Sequence, residues 1–281
     1  MKLIRNIFLA GLMLVFFTAS AVAQGDLISA ADFMKLYKSN KSLIVIDASK
    51  AATYKKSHVK GAINIPNNDL NTDDKHGFLK SNADLAAYFG SKGVAADKPI
   101  VVTDGGDQKS ASRVYWVLKY LGATNVKILH KNMATFKKSR VPLTPMAGKK
   151  PATTFTLNTN NAIFASIDDV KAGKAILFDA RDAKEFAGTT EKSKGHIPGA
   201  KNLSYKGFQN AEHVFLPKAE MEKLISHFGI NPDSPIIVSC QSGKRAAILF
   251  VAFHNVLGYK NVKLYDGSYN EWVDKGNSLE K

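Results

Sequence analysis

The sequence predicts an α/β protein made of two tandem domains, each a parallel sheet flanked by helices. Three observations carry this prediction. Short apolar runs rich in β-branched residues, at positions 43–48, 100–103, 175–180 and 236–239, suit strands covered on both faces, which lose the polar alternation of half-exposed ones. Helix-like stretches fall between these runs, the order that builds βαβ units. The second half of the chain then repeats the first.

Taken in order, residues 1–23 read as a cleaved export signal. Lys2 and Arg5 form a basic start, residues 7–17 an apolar stretch, and Ala21-Val22-Ala23 a small-residue cleavage site. The apolar stretch is short for a membrane span. No cysteine follows the cleavage site to take a lipid anchor. The mature chain is expected to begin at Gln24 and to be exported to a bacterial periplasm, with no stable membrane insertion after cleavage.

The first domain is expected over 24–148, a linker over 149–162 and the second domain over 163–281. Some 258 residues remain once 23 of the 281 are removed, more than the roughly 100–200 of one ordinary domain. Ser29 and Ser166 each precede an acid-rich helix start, as N-caps do. The run His58-Val59-Lys60-Gly61-Ala62 matches His196-Ile197-Pro198-Gly199-Ala200, and Leu121-Gly122-Ala123 matches Leu257-Gly258-Tyr259. The linker is polar, rich in Thr and Asn, and without helical periodicity.

The composition, 45% hydrophobic and 22% charged, is ordinary for a folded soluble protein. Net charge is +15, and loss of Lys2 and Arg5 leaves +13. The lysines are scattered, with no basic block or nucleic-acid motif, so a solvated basic surface is the plain reading and nucleic acid is not an expected partner. A positive field would also steer a small anion. One cysteine allows no intrachain disulfide, and a thiol kept free in an oxidising compartment points to chemistry.

That thiol, Cys240, ends the apolar run 236–239 and is followed by Gln241-Ser242-Gly243-Lys244-Arg245 and then an apolar helical stretch, 246–257. Strand, loop and helix in this order bring the thiol to a helix start, where free N–H groups favour an anion. Gly243 lets the backbone curl into a nest of amides, and Lys244 and Arg245 add positive charge. Such surroundings favour the thiolate, the nucleophilic form of a cysteine. A buried structural cysteine would need neither the glycine nor the cations.

The loop Cys240-Gln241-Ser242-Gly243-Lys244-Arg245 resembles the active-site loop of rhodaneses, sulfurtransferases that carry sulfane sulfur as a cysteine persulfide. Asp179-Ala180-Arg181, Gly195-His196-Ile197-Pro198-Gly199-Ala200 and Asp266-Gly267-Ser268 with Trp272 resemble the family's other motifs, in the right order and spacing. The resemblance spans nearly the whole mature chain and implies a tandem rhodanese of the thiosulfate or 3-mercaptopyruvate type. It implies Cys240 as nucleophile and Gln241, Ser242, Gly243, Lys244, Arg245 and Arg181 as the persulfide loop and donor-binding set. Lys244 is the best candidate to grip the donor's anionic group, a sulfonate or carboxylate. Asp179 supports the loop, with Arg245 turned inward towards it. His196 belongs to a structural turn, and His254 to packing or surface.

In the first half Asp104 replaces the cysteine and cannot accept sulfur, so the first domain is expected to be a non-catalytic wall of the cleft. Two further departures bear on the donor. Glu185 stands where tandem thiosulfate enzymes usually have arginine. The loop matches neither the Cys-Gly-Ser-Gly of mercaptopyruvate enzymes nor the mammalian thiosulfate pattern with cations directly after cysteine. Lys244 favours thiosulfate. The alternatives are a 3-mercaptopyruvate sulfurtransferase, or a non-enzymatic sulfur carrier or redox-responsive module. A dual-specificity phosphatase needs five residues between Cys and Arg; here there are four. No cofactor or metal is expected. The partners are a small anionic sulfur donor and a thiophilic acceptor, the latter small or a protein.

Overall fold

The computed structural model describes residues 25–72, 77–129 and 133–281; the expected export signal lies outside them. In chain order the strands are β1 (Leu27–Ile28), β2 (Ile44–Asp47), β3 (His58–Val59), β4 (Ile63–Asn64), β5 (Ile100–Thr103), β6 (Val126–Leu129), β7 (Leu143–Thr144), β8 (Phe164–Ala165), β9 (Ile176–Asp179), β10 (Lys201–Asn202), β11 (Ile236–Ser239) and β12 (Val262–Tyr265). They form two five-stranded parallel sheets, ordered β1-β6-β5-β2-β4 and β8-β12-β11-β9-β10. Strands β3 and β7 make a small antiparallel pair.

The two orders correspond strand for strand, with β5 and β11 at the centres. Strands β2, β5 and β11 are buried along their whole length, which is why they read as unbroken apolar runs. Ser29 caps the helix Ala30–Ser39 by accepting the Asp32 N–H at 3.0 Å. Ser166 caps Ile167–Lys171 in a reciprocal box with Asp169. Each such cap contributes about 1 kcal/mol.

The helices that follow the two central strands, Lys109–Tyr120 and Ala246–Val251, pack against each other. The second is wholly buried and widens into a π-helical segment, Ala252–Leu257. One apolar core therefore runs unbroken from the first sheet to the second, through Trp116, Phe178, Ile248 and Phe253. Burying a side chain of Leu or Phe size contributes about 2 kcal/mol, so pulling the halves apart would cost several such terms. A polar contact also ties Lys109–Tyr120 to the π-helical segment. The Tyr115 hydroxyl lies 2.6 Å from Asp26 Oδ2 and 3.3 Å from Asn255 Oδ1.

Residues 151–160 form neither helix nor strand. They strap along the first sheet's helices through backbone bonds from Thr153 to Gly90 (2.9 Å), Asn158 to Leu121 (3.1 Å) and Asn160 to Tyr120 (2.7 Å). Gly122, at φ +103°, admits this approach: a Cβ there would lie 2.3 Å from the Asn158 carbonyl oxygen.

Candidate active site

Strand β11 ends at Ser239, in register with Asp179 of β9, so Cys240 emerges at the carboxyl end of the central strand. Open α/β sheets bind ligands at this end. On one side stand Asp179, Ala180 and Arg181; on the other, residues 266–268 follow β12. Cys240 is 1% exposed, at the floor of the loop.

A single serine holds the loop's shape. The Ser268 hydroxyl accepts the N–H groups of Cys240 and Gly243, both at 3.1 Å, and donates to the Tyr265 carbonyl at 2.7 Å. Ser268 is fully buried and takes the left-handed conformation at φ +51°. The next two amides tie the loop further, Tyr269 N–H to the Cys240 carbonyl and Asn270 N–H to that of Gln241, each at 3.1 Å. The Gln241 side-chain amide donates to Asn270 Oδ1 at 2.5 Å. Gly243 sits at φ +76°, which curls the chain as its position in the sequence suggests.

The first half supplies an internal comparison. Thr103 pairs with Asp47 as Ser239 pairs with Asp179, so Asp104 occupies the place of Cys240. Its carboxylate accepts the N–H groups of Gly106 (3.0 Å), Gln108 (3.2 Å) and Ala111 (3.0 Å). Burial pushes its pKa up to about 6, with Asp107 adding to the rise and the three amides opposing it. The cradle in this half is filled by its own carboxylate. In the second half the amides two and four residues beyond the cysteine, those of Ser242 and Lys244, donate to no acceptor among the described residues. The amide at the place of Ala111, that of Ala247, instead donates to the Gly243 carbonyl at 3.2 Å, so two of the three donor positions remain open in the second loop.

The cations divide into paired and free. Arg181 is fully buried. Its guanidinium meets both Asp179 oxygens at 2.7–3.0 Å and also reaches Ser193 Oγ (2.8 Å) and the Gly195 carbonyl (2.9 Å), beneath the Tyr269 ring. Arg245 makes a two-point pair with Glu185, at 2.5 and 2.9 Å. That guanidinium holds the Glu185 carboxyl below its usual range.

One expectation is therefore corrected: Asp179 pairs with Arg181, not Arg245, because the nearer guanidinium already meets both its oxygens. Arg181, which the sequence leaves open between donor and loop, makes its hydrogen bonds among the described residues inward, at the base of the loop. The glutamate at 185 has a purpose in this arrangement, since it turns Arg245 away from the sheet and fixes the loop's far end.

Lys244 is half-buried, and its ammonium makes no ion pair among the described residues. It enters a cavity of about 270 Å³ between the halves, lined also by Ser49, Lys50, Asp104 and Asp107. Burial pulls its pKa down, while Asp107 and Asp104 oppose that fall. A second cavity, about 360 Å³, borders the loop from the other side at Gln241, Tyr269 and Asn270. A cavity of about 400 Å³ around Pro235 and Ile236 lies at the opposite end of β11 and has no part in this site.

His196 stacks on Phe186 with ring centres 3.6 Å apart, and its Nδ1 lies 3.0 Å from the Phe186 carbonyl. Its backbone pairs with Glu280. These contacts make it part of a turn that anchors the chain's end. His254 stacks on Phe250, within the helical core. Among the described residues no cluster of three His, Cys, Asp or Glu is arranged to hold a metal ion.

Three residues with structural claims on the site had no such role in the sequence reading. Ser268 was legible only as part of a closing motif. Glu185 was visible as a departure without a partner. Arg113 left a faint signal, a cation within the apolar stretch 110–118. It is 1% exposed, contacts Asp266 and lies against Gly243.

A doubled parallel sheet with one cysteine loop beyond its central strand defines a tandem rhodanese-fold protein. Comparison with known proteins agrees: the Rhodanese-like domain model matches residues 29–139 and 166–275, and the chain belongs to this family. A putative thiosulfate sulfurtransferase from Synechococcus elongatus is 29% identical over 83% of this chain and 78% of its own length. One from Haloferax volcanii is 30% identical, covering 84% and 89%. The crystal structure of the Escherichia coli 3-mercaptopyruvate sulfotransferase SseA superposes with a TM-score of 0.78 at 28% identity, covering 87% of this chain and 99% of that one.

Proposed function

We propose that this protein is a thiosulfate sulfurtransferase that carries sulfur as a persulfide on Cys240. The observation behind it is the contrast between the two loops: an aspartate fills the cradle of one, and a cysteine stands below the partly open cradle of the other. The Cys240 thiolate attacks the outer sulfur of thiosulfate. The S–S bond breaks, sulfite leaves with its electron pair, and a cysteine persulfide anion remains. A thiophilic acceptor then attacks the terminal sulfur, the second S–S bond breaks, and the thiolate returns.

The amides of Ser242 and Lys244 stabilise the persulfide anion as an oxyanion hole stabilises oxygen. The Lys244 ammonium, a compact point charge, suits the sulfonate end of a compact dianion. Gln241 and Ser242 can add hydrogen bonds at the mouth of the loop. Asp179, Arg181, Glu185 and Arg245 keep the loop in place. The order of residues 1–23 supports export, with sulfur chemistry carried out in the periplasm and a small molecule or a protein as acceptor.

Mass spectrometry of the purified protein tests this reading. Thiosulfate without acceptor should add one sulfur atom to Cys240, and cyanide should then remove it. If only 3-mercaptopyruvate adds sulfur, the donor is wrong and the persulfide stands. If no sulfane donor modifies reduced Cys240, the sulfurtransferase reading falls.

A further inference from the structure

Arg113 belongs to the helix Lys109–Tyr120 of the first half, yet its side chain ends beneath the cysteine loop of the second. Its Nη2 donates to Asp266 Oδ1, whose other oxygen accepts the Leu79 N–H at 3.1 Å. Its guanidinium also lies 5.1 Å from the Trp116 ring centre, which fixes its plane. Asp266 comes two residues before Ser268, the hydroxyl that holds Cys240 and Gly243.

The contact with Gly243 is tight. A Cβ at that position would lie 2.7 Å from Arg113 Nη1, 3.1 Å from the Asp266 carbonyl oxygen and 3.2 Å from Arg113 Cζ. The same Nη1 is buried and has no hydrogen-bond partner among the described residues. A buried unpaired donor is costly, and an apolar side chain would fill the space without that cost. A cation retained there, against the one glycine that curls the loop, calls for a use.

We propose that Arg113 is a positioning residue for the Cys240 loop: its guanidinium forms the floor on which Gly243 turns, and so sets the amide cradle from across the domain interface. The catalytic consequence rests on the sulfurtransferase reading. The first half is then part of the site's geometry as well as a wall beside it.

The test uses full-length protein carrying Arg113→Met, Arg113→Lys, Gly243→Ala and the Met/Ala double change. Sulfur loading of Cys240 by thiosulfate is followed by mass, and amide exchange of Cys240 and Gly243 by hydrogen–deuterium exchange. Arg113→Met should slow loading at saturating thiosulfate about tenfold, with half-saturation changed less than about twofold, and Arg113→Lys should recover part of the loss. Gly243→Ala should cost about tenfold or more alone and clearly less beside Arg113→Met, because the methyl then meets no guanidinium. Strictly additive losses, or an unchanged saturated rate in the folded variants, would overturn the proposal. Should Arg113→Met not fold, unchanged loading in both Arg113→Lys and Gly243→Ala overturns it equally. If thiosulfate loads no form of the protein, the sulfurtransferase reading fails instead. Exchange then decides on Arg113: faster at Cys240 and Gly243 in the arginine variants supports its role, and unchanged refutes it.

Discussion

Replacing Ser268 by alanine removes one oxygen and leaves three groups without their partner. The amides of Cys240 and Gly243 lose an acceptor, and the Tyr265 carbonyl loses a donor, in a place with no exposure to water. Each buried group left unpaired costs about 1–3 kcal/mol, and partial relaxation recovers some of it. A total of about 3 kcal/mol is expected, large against the roughly 5–15 kcal/mol that holds a domain together. Urea unfolding should show the transition midpoint falling with its slope unchanged. The same loss frees the loop at both Cys240 and Gly243, so sulfur loading at saturating thiosulfate should fall about ten- to a hundredfold. The two effects should appear together. A Ser268→Ala protein within about 0.5 kcal/mol of the parent that also loads sulfur at the parent's rate would show that the hydroxyl does not organise the loop.

Lys244→Glu should damage reaction with thiosulfate far more than Lys244→Gln, since it sets a like charge where the parent has an attractive one; the Gln form should lose about ten- to a hundredfold and depend less on ionic strength, which stopped-flow loading would read. Glu185 has its pKa lowered by Arg245, so its contribution to stability is present above the unfolded value of 4.5 and is lost as pH falls through the lower folded value. Glu185→Gln should remove that acid-side loss from a plot of stability against pH; a parent-like acid slope in the variant would contradict the pairing. Asp104 has the opposite sign: with a folded pKa of about 6 against 3.8, its stabilisation is full below 3.8 and is lost as pH rises through about 6. Asp104→Asn should flatten that window in calorimetry while leaving most sulfur transfer intact, whereas Cys240→Ser should abolish transfer. Similar losses of activity from the two changes would mean that the halves are not one active and one inactive.

What the chain's order of residues settled was local or repeated. A strand buried on both faces needs an unbroken apolar run, so β2, β5, β9 and β11 are legible in the sequence itself. The N-caps at Ser29 and Ser166 involve partners three residues away and were equally plain. A thiol followed by a glycine and two cations points to an anion site by its own chemistry, and the aspartate in its place offers no thiol to carry sulfur.

Which carboxylate each guanidinium meets is not a local property. The sequence sets Arg245 against Asp179, and only the folded chain shows Arg181 bent back over Asp179 and Arg245 held by Glu185, sixty positions away. The pairing of Arg113 with Asp266 spans 153 positions and joins the two halves. Long charged side chains have many rotamers and few sequence rules, so their partners are chosen by how the sheets and helices pack. The same holds for the cradle. Glycine in the sequence permits a left-handed turn at Gly243, but the Ser268 hydroxyl and the guanidinium beneath it decide that the turn is made there, because only the packed second half brings β12 beside β11 and only the packed interface brings Arg113 under both.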